Sequence, residues 1–347
     1  MSTTALSFFI SALGLGTMIT VSSHHWILAW MGLEMNTLAI IPLMSQHHHP
    51  RAIEATIKYF LTQASASALI LFASINNAWV TGEWDIMALT NPISVLVLTI
   101  AVAMKIGLAP FHFWLPEVLQ GLDLTTGLIL STWQKLAPIT LLFLTSHNMN
   151  LQLLLTLAIV STLVGGWGGL NQTHLRKILA YSSIAHLGWM AAILTINPQL
   201  TLITLILYII MTASLFLTFK LLSSTKISTL STSWSKFTTL TSLAVLSLLS
   251  LGGLPPLSGF LPKWLIIQEL SKQNGAMIAT LMALSALLSL FFYLRLTYAM
   301  TLTMHPSTSN SSLSWRLMSK QTIVLPLTLI MSILLLPITP SLLTLIQ

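Results

Sequence analysis

From Met1 to Pro50 the chain carries a single charged side chain, Glu34, and apolar runs of the same kind follow one another almost to the C-terminus. Of 347 residues, 14 are Lys or Arg and 7 are Asp or Glu, so 6% are charged, against roughly a quarter in soluble domains. With 55% apolar residues and a mean hydropathy of +0.87, polar side chains are too few to give each element a water-facing side. A soluble fold is excluded, and the solvent of this chain is lipid. No cysteine is present. That excludes disulfides, thiolate-held iron–sulfur or zinc sites and a catalytic thiol, so the chemistry must use oxygen and nitrogen groups. The first basic residue is Arg51, so the N-terminus has neither the basic region of a secretory signal nor the Arg-rich face of a transit peptide. Insertion then relies on an internal span as signal, or on synthesis inside the organelle that houses the protein.

A hydrocarbon core about 30 Å thick takes roughly 20 helical residues per crossing. Closed barrels would show short alternating segments instead. The expectation is an all-α polytopic membrane protein with about eleven crossings: 4–21, 26–44, 55–75, 92–120 with a break, 124–145, 150–169, 175–195, 200–222, 238–272 with a break, 276–300 and 322–345. Ten of the 14 basic residues fall in or beside the connections after even-numbered crossings: Arg51, Lys58, Arg176, Lys177, Lys220, Lys226, Lys236, Arg295, Arg316 and Lys320. The opposite connections hold Lys272 alone, with Glu83, Asp85 and Glu269. By the positive-inside rule the N-terminus faces the inner compartment and the C-terminus the outer one, with Trp26, Trp79 and Trp84 at the outer interface. The Ser/Thr-rich stretch 223–236 reads as a solvated linker, and no extramembrane domain is evident. Energy must come from a gradient or a partner.

The two broken crossings carry one signature. Gly107-Leu108-Ala109-Pro110-Phe111-His112-Phe113-Trp114-Leu115-Pro116-Glu117 matches Gly253-Leu254-Pro255-Pro256-Leu257-Ser258-Gly259-Phe260-Leu261-Pro262-Lys263 at five of eleven positions, with an aromatic at both 114 and 260 and a constant offset of 146. Five crossings fit in that offset, and an odd number inverts the second copy, as in the inverted repeats of secondary transporters. The expected organisation is a single membrane domain made of a first half-channel repeat (1–145), an inverted second repeat (150–300) and a final helix (322–345). Pro110 and the Pro255-Pro256 pair interrupt the helical ladder and free carbonyls, which lipid tolerates only where they are buried in protein or face a hydrated cavity.

Four charged residues fall inside apolar runs: Glu34 in AWMGLEMNTLAII, Lys105 in LTIAVAMKIGLAPF, Lys135 in GLILSTWQKLAPITLLF and Lys263 in GGLPPLSGFLPKWLII. A charge at the bilayer centre costs roughly 2.5 to 3.5 kcal/mol, so four imply about 10 kcal/mol unless they pair or meet water. Lys135 stands about 15 Å from either end of its helix at 1.5 Å per residue, too deep to snorkel. Burial disfavours an ammonium and a nearby carboxylate restores it, so a Lys whose carboxylate partner approaches or retreats is a proton switch. Glu34 is the one carboxylate deep in a span, the natural counter-ion for Lys105 or Lys135. Fixed ion pairs that merely join helices are the competing reading.

His112 follows the first break and His186 lies in LAYSSIAHLGWM. Both are candidate proton relays through a neutral ring, with hydrogen-bonded packing as the alternative. His47, His48 and His49 beside Pro50 read as a solvated loop rather than a metal site, and His24, His25, His147, His174 and His305 stand at helix ends. The run GGWGGL at 165–170 contains a G-x-x-x-G, a helix-packing signal. The acceptor patterns Asn171-Gln172-Thr173 and Asn310-Ser311-Ser312 lie on the expected inner face, where modification is not anticipated.

With HFWLPEVLQG, TWQKLAP, GGWGGLNQTHLRKILAYSSIAHLGWM and LSLGGLPPLSGFLPKW on view, the sequence resembles, end to end, the antiporter-like membrane subunits of mitochondrial respiratory complex I (NADH:ubiquinone oxidoreductase). That family also includes subunits of multisubunit sodium/proton antiporters. The resemblance implies a proton-pumping module that couples NADH-to-ubiquinone electron transfer elsewhere in the complex to proton movement. It implies no cofactor in this chain, with FMN, iron–sulfur clusters, NADH and ubiquinone bound by other subunits. On the family pattern Glu34 and Lys105 match the ion pair of the first half-channel, Lys135 the central lysine, Lys263 the exit group, and His112 and His186 polar positions on the connecting axis. The implied location is the mitochondrial inner membrane, N-terminus in the matrix and C-terminus towards the intermembrane space. Implied partners are a neighbouring antiporter-like subunit, small membrane subunits, accessory subunits and lipids such as cardiolipin, with no nucleic acid. Typical family members have about fourteen helices, and eleven fit the animal form lacking the first three. An independent cation/proton antiporter and an inert membrane scaffold are the competing functions.

Overall fold

The structure is a computed structural model that describes residues 2–46, 48–235, 237–302 and 323–341. His47, Lys236, His305, the 310–312 pattern, Arg316, Lys320 and the last part of the 322–345 crossing lie outside the described residues.

Two compact units divide the chain, Met1–Ser161 and Thr162–Gln347. The first holds α1 (Thr3–Ser22), α2 (Trp26–Met44), α3 (Pro50–Thr81), α4 (Pro92–Ile106), α5 (Trp114–Gly121) and α6 (Leu124–Leu144), and the boundary falls within α7 (Leu151–Gly169). The second continues with α8 (Leu175–Ile193), α9 (Pro198–Leu221), α10 (Ile227–Ser231), α11 (Thr238–Gly252), α12 (Phe260–Lys272), α13 (Ala276–Thr301) and α14 (Val324–Leu334). Seven of these, α1, α2, α3, α6, α7, α9 and α13, are long and apolar enough to cross a membrane, while α4, α11 and α14 are shorter apolar helices. Helix α8 has 19 residues and opens on Arg176 and Lys177. Every expected crossing therefore corresponds to helix, with α4–α5 and α11–α12 as the two broken ones. Among the described residues there is no strand beyond the isolated bridges His25–Asp85 and His174–Lys226.

Helix boundaries follow from local chemistry. Helices α3, α4 and α9 each begin with a polar cap followed by proline, His49-Pro50, Asn91-Pro92 and Asn197-Pro198, where the cap side chain accepts a backbone N–H. Proline suits the first helical position because its missing N–H would have no partner there. Hydroxyls inside the spans bond back to their own helix, as Thr17 does to Gly14 O (2.8 Å), Ser131 to Leu128 O (3.0 Å) and Ser285 to Met282 O (2.7 Å). Each such bond gives a hydroxyl donor the partner that lipid cannot supply.

The expected solvated linker at 223–236 lies inside the second unit rather than between halves, and its described residues 223–235 are held to their neighbours. Leu175 N–H donates to Thr225 O (3.0 Å) and Ile227 N–H to Thr173 O (3.1 Å). Leu230 is fully buried, and the Trp234 indole donates to the Met300 carbonyl. One Leu and one Trp anchor a segment whose Ser/Thr content suggested solvation.

Lipid tails are as apolar as leucine, so helices in a bilayer associate through close packing, favoured by small residues. Helices α1 and α2 meet at Gly16 and Gly32. A Cβ at Gly32 would lie 2.6 Å from Thr20 Cγ2 and 2.8 Å from the Gly16 carbonyl. In the second unit a Cβ at Gly165 would lie 2.7 Å from the Ala185 backbone, and one at Gly169 2.8 Å from Phe292, so both glycines of the G-x-x-x-G are packing positions. A Cβ at Gly14, by contrast, meets nothing within 4 Å. Gly32→Ala is therefore expected to lower stability by about 1 to 3 kcal/mol, the usual range for overpacking. Gly14→Ala should be neutral or stabilising by up to about 1 kcal/mol. Thermal melting of the purified protein in its native assembly distinguishes the two; equal melting shifts would contradict this α1–α2 contact.

Candidate functional site

A helix break in lipid needs a donor for each carbonyl it frees, and the two breaks supply them differently. In the first, Gly107 ends α4 at φ +86°. The Trp114 indole N–H donates to Met104 O (3.1 Å), and Gln63 Nε2 on α3 donates to Lys105 O (3.3 Å). In the second, Gly253 ends α11 at φ +77°, and Lys263 Nζ donates to Gly252 O (2.8 Å). A cation at the carbonyl end of a helix also meets the negative end of its dipole. Lys263 reaches that carbonyl by crossing Gly253, where a Cβ would lie 2.9 Å from both Cδ and Nζ. Glycine is thus required at 253 by backbone angle and by the side chain above it.

The first unit brings Lys105 and Lys135, each only 5% exposed, onto the walls of one cavity. Measured to the centre of a water-sized sphere its volume is about 10 Å³, near the lower limit for one water. Asn36 and Thr37 from α2, Tyr59 and Gln63 from α3, and Gln134 from α6 add to its polar lining. Gln134 Nε2 donates to Asn36 O (3.1 Å), tying α6 to α2. Pro138 interrupts α6 on the same wall, so the Gln134 carbonyl lacks its usual helical donor.

Glu34 stands near this cavity, within electrostatic range of Lys105 and Tyr59. It does not clasp the lysine, for Glu34 Oε2 and Lys105 Nζ are both buried without a hydrogen-bond partner. His112 is buried in the first break with its ring 4.3 Å from that of Phe113, and it is not among the cavity's lining residues. In the second unit His186 on α8 packs 5.7 Å from the Tyr208 ring on α9. Helix α12, which carries Lys263, packs against both α8 and α9.

Formal charge alone misses Asn36, Tyr59, Gln63 and Gln134. The sequence did hold a signal for two of them, since Asn36 follows Glu34 by two residues and Gln134 adjoins Lys135. Also missed is a bridge at the start of α3, where Lys58 Nζ lies 2.6 Å from both Glu54 and Glu117. Glu117 is on α5, so the bridge joins α3 to the segment after the first break. Its groups are exposed, which limits its contribution to stability.

Residues 23–289 match the family described as NADH:quinone oxidoreductase/Mrp antiporter, TM. The chain belongs to that family. Within it, residues 290–343 match the NADH dehydrogenase subunit 2 C-terminus. Relatives named NADH-ubiquinone oxidoreductase chain 2 include one from Xenopus laevis, 65% identical over 99% of this chain and 100% of the relative. Another, from Carassius auratus, is 62% identical over 98% of each. Among solved structures, a chain of respiratory complex I from Thermus thermophilus superposes with a TM-score of 0.80 at 28% identity, over 95% of this chain and 78% of that one. A chain of the Mrp complex from a Dietzia species shares the fold, with a TM-score of 0.75 at 17% identity, over 86% of this chain and 61% of that one.

The geometry of the second break sets an expectation. Gly253→Ala should cost about 1 to 2 kcal/mol from its left-handed backbone alone, with more from displacing Lys263. Gly252→Ala should be mild, because its Cβ would meet Tyr293 only at 3.7 Å. Thermal melting of both variants checks this, and a harmless Gly253→Ala would contradict the Lys263 placement.

Proposed function

We propose that the chain is a proton-translocating, antiporter-like membrane subunit of the respiratory NADH:ubiquinone oxidoreductase, coupling electron transfer in other subunits to proton movement through its buried polar groups. The observation that carries this reading is the cavity in the first unit, where two lysines from different helices line one water-sized space within apolar helices. Two buried cations beside one another repel, so the protonation of one disfavours that of the other. Glu34 adds a carboxylate within electrostatic range but out of contact. In this reading its approach to Lys105 stabilises that ammonium, and its retreat releases a proton towards Lys135. Lys263 is the group from which the proton leaves, with His112 and His186 as relays.

Identity of 62% and 65% over nearly the whole length to chains named NADH-ubiquinone oxidoreductase chain 2 supports this reading over an independent cation/proton exchanger. The chain then holds no redox cofactor, and FMN, iron–sulfur clusters, NADH and ubiquinone belong to its partners. The partners are neighbouring membrane-arm and accessory subunits, with inner-membrane lipids such as cardiolipin around them. The site of action is the mitochondrial inner membrane, with the N-terminus in the matrix.

In the assembled complex reconstituted into vesicles, Lys135→Met is expected to lower the protons moved per NADH while leaving assembly intact. Glu34→Gln should do the same with quinone binding unchanged. Proton uptake measured against NADH oxidation gives the ratio. An unaltered ratio in Lys135→Met would remove the central lysine from the mechanism, and migration of this chain apart from NADH-oxidising activity on a native gel would favour the exchanger.

A further inference from the structure

Asn36 is 2% exposed, and both its Oδ1 and its Nδ2 are buried without a hydrogen-bond partner. A buried amide left without partners is costly, so a residue with both its donor and its acceptor unmet requires an explanation. Its surroundings supply one. Asn36 lines the same small cavity as Lys105 and Lys135, and Lys105 Nζ is itself without a hydrogen-bond partner. The cavity has room for about one water. A buried water is stable with two to four polar partners, and an amide offers both a donor and an acceptor.

We propose that Asn36 is a positioning residue that holds one bridging water between Lys105 and Lys135. The water takes a proton from the Lys105 ammonium as it gives another to a neutral Lys135 amine. One positive charge moves from the first lysine to the second, and the water is regenerated. Asn36 gains and loses no proton; it fixes the oxygen in line with both nitrogens. Its own position is fixed from α1, because a Cβ at Gly16 would fall 2.5 Å from Asn36 Oδ1. The Gly16–Gly32 contact thus packs two helices and also sets the amide at the cavity wall.

The inference rests on the proton-translocating reading above, and the test separates the two. Complexes carrying Asn36→Leu, which keeps the bulk and removes the polar atoms, are compared with wild type and Lys135→Met in vesicles, with protons per NADH as the readout. Asn36→Leu is expected to assemble and to show the same reduced ratio as Lys135→Met. A wild-type ratio in Asn36→Leu beside a reduced ratio in Lys135→Met overturns the Asn36 inference alone. Wild-type ratios in both overturn the proton role of the cavity, and the inference with it. Should Asn36→Leu impair assembly, the pair Asn36→Thr and Asn36→Val decides, since the two are alike in shape and differ by one hydroxyl. A higher ratio in the Thr variant supports the bridge, and equal ratios overturn it. A purely structural role for Asn36 would shift melting temperature without separating Thr from Val in this ratio.

Discussion

Lipid cannot hydrogen-bond a peptide group, and that single fact governs where this chain is regular and where it departs from regularity. Long helices satisfy their own backbones, and serines and threonines within them bond to carbonyls one turn back. At the two breaks, where the backbone opens, a side chain from elsewhere supplies a donor. At the first break the donors are the indole of Trp114 and the amide of Gln63. At the second break the donor is the ammonium of Lys263. The same sequence signature is thus completed with neutral groups in one unit and with a cation in the other.

This difference carries into electrostatics. In the first unit the break leaves the Lys105 nitrogen without a backbone carbonyl to hold it, on a residue that lines a cavity together with Lys135. In the second, Lys263 is held to Gly252, and Gly253 below it has no side chain to displace it. Lys263 and Lys105, costly in hydrocarbon, are therefore placed next to a helix end in one case and to neutral amides with a carboxylate at a distance in the other. The ion pairs of Lys58 with Glu54 and Glu117, and of Lys272 with Glu269, involve exposed lysines, where water already lowers the cost of charge.

Much of this was legible in the sequence because the governing signals are local. Twenty-residue apolar runs give the crossings, Pro with Gly gives the breaks, and an isolated Glu or Lys in an apolar run marks itself. What remained hidden depends on neighbours distant in sequence. Nothing in MGLEMNTLAI says that Asn36 would meet Gly16 on one side and the cavity of Lys105 and Lys135 on the other. Nothing in the Ser/Thr content of 223–236 reveals that Leu230 and Trp234 pin it down. The expected contact between Glu34 and Lys105 illustrates the same point: opposite charge predicts attraction, but the helices bearing the two groups set how near they come.

The cavity walls also have an order along the chain. Residues from α2, α3, α4 and α5 are made first, and Lys135 arrives last of the polar groups, on α6. A membrane protein is synthesised from its N-terminus, so Asn36, Tyr59, Gln63 and Lys105 are already in the nascent chain when the helix carrying Lys135 emerges. The most deeply placed charge of the unit enters the bilayer with its polar neighbours waiting, and biosynthesis itself shortens the time that an ammonium spends facing lipid.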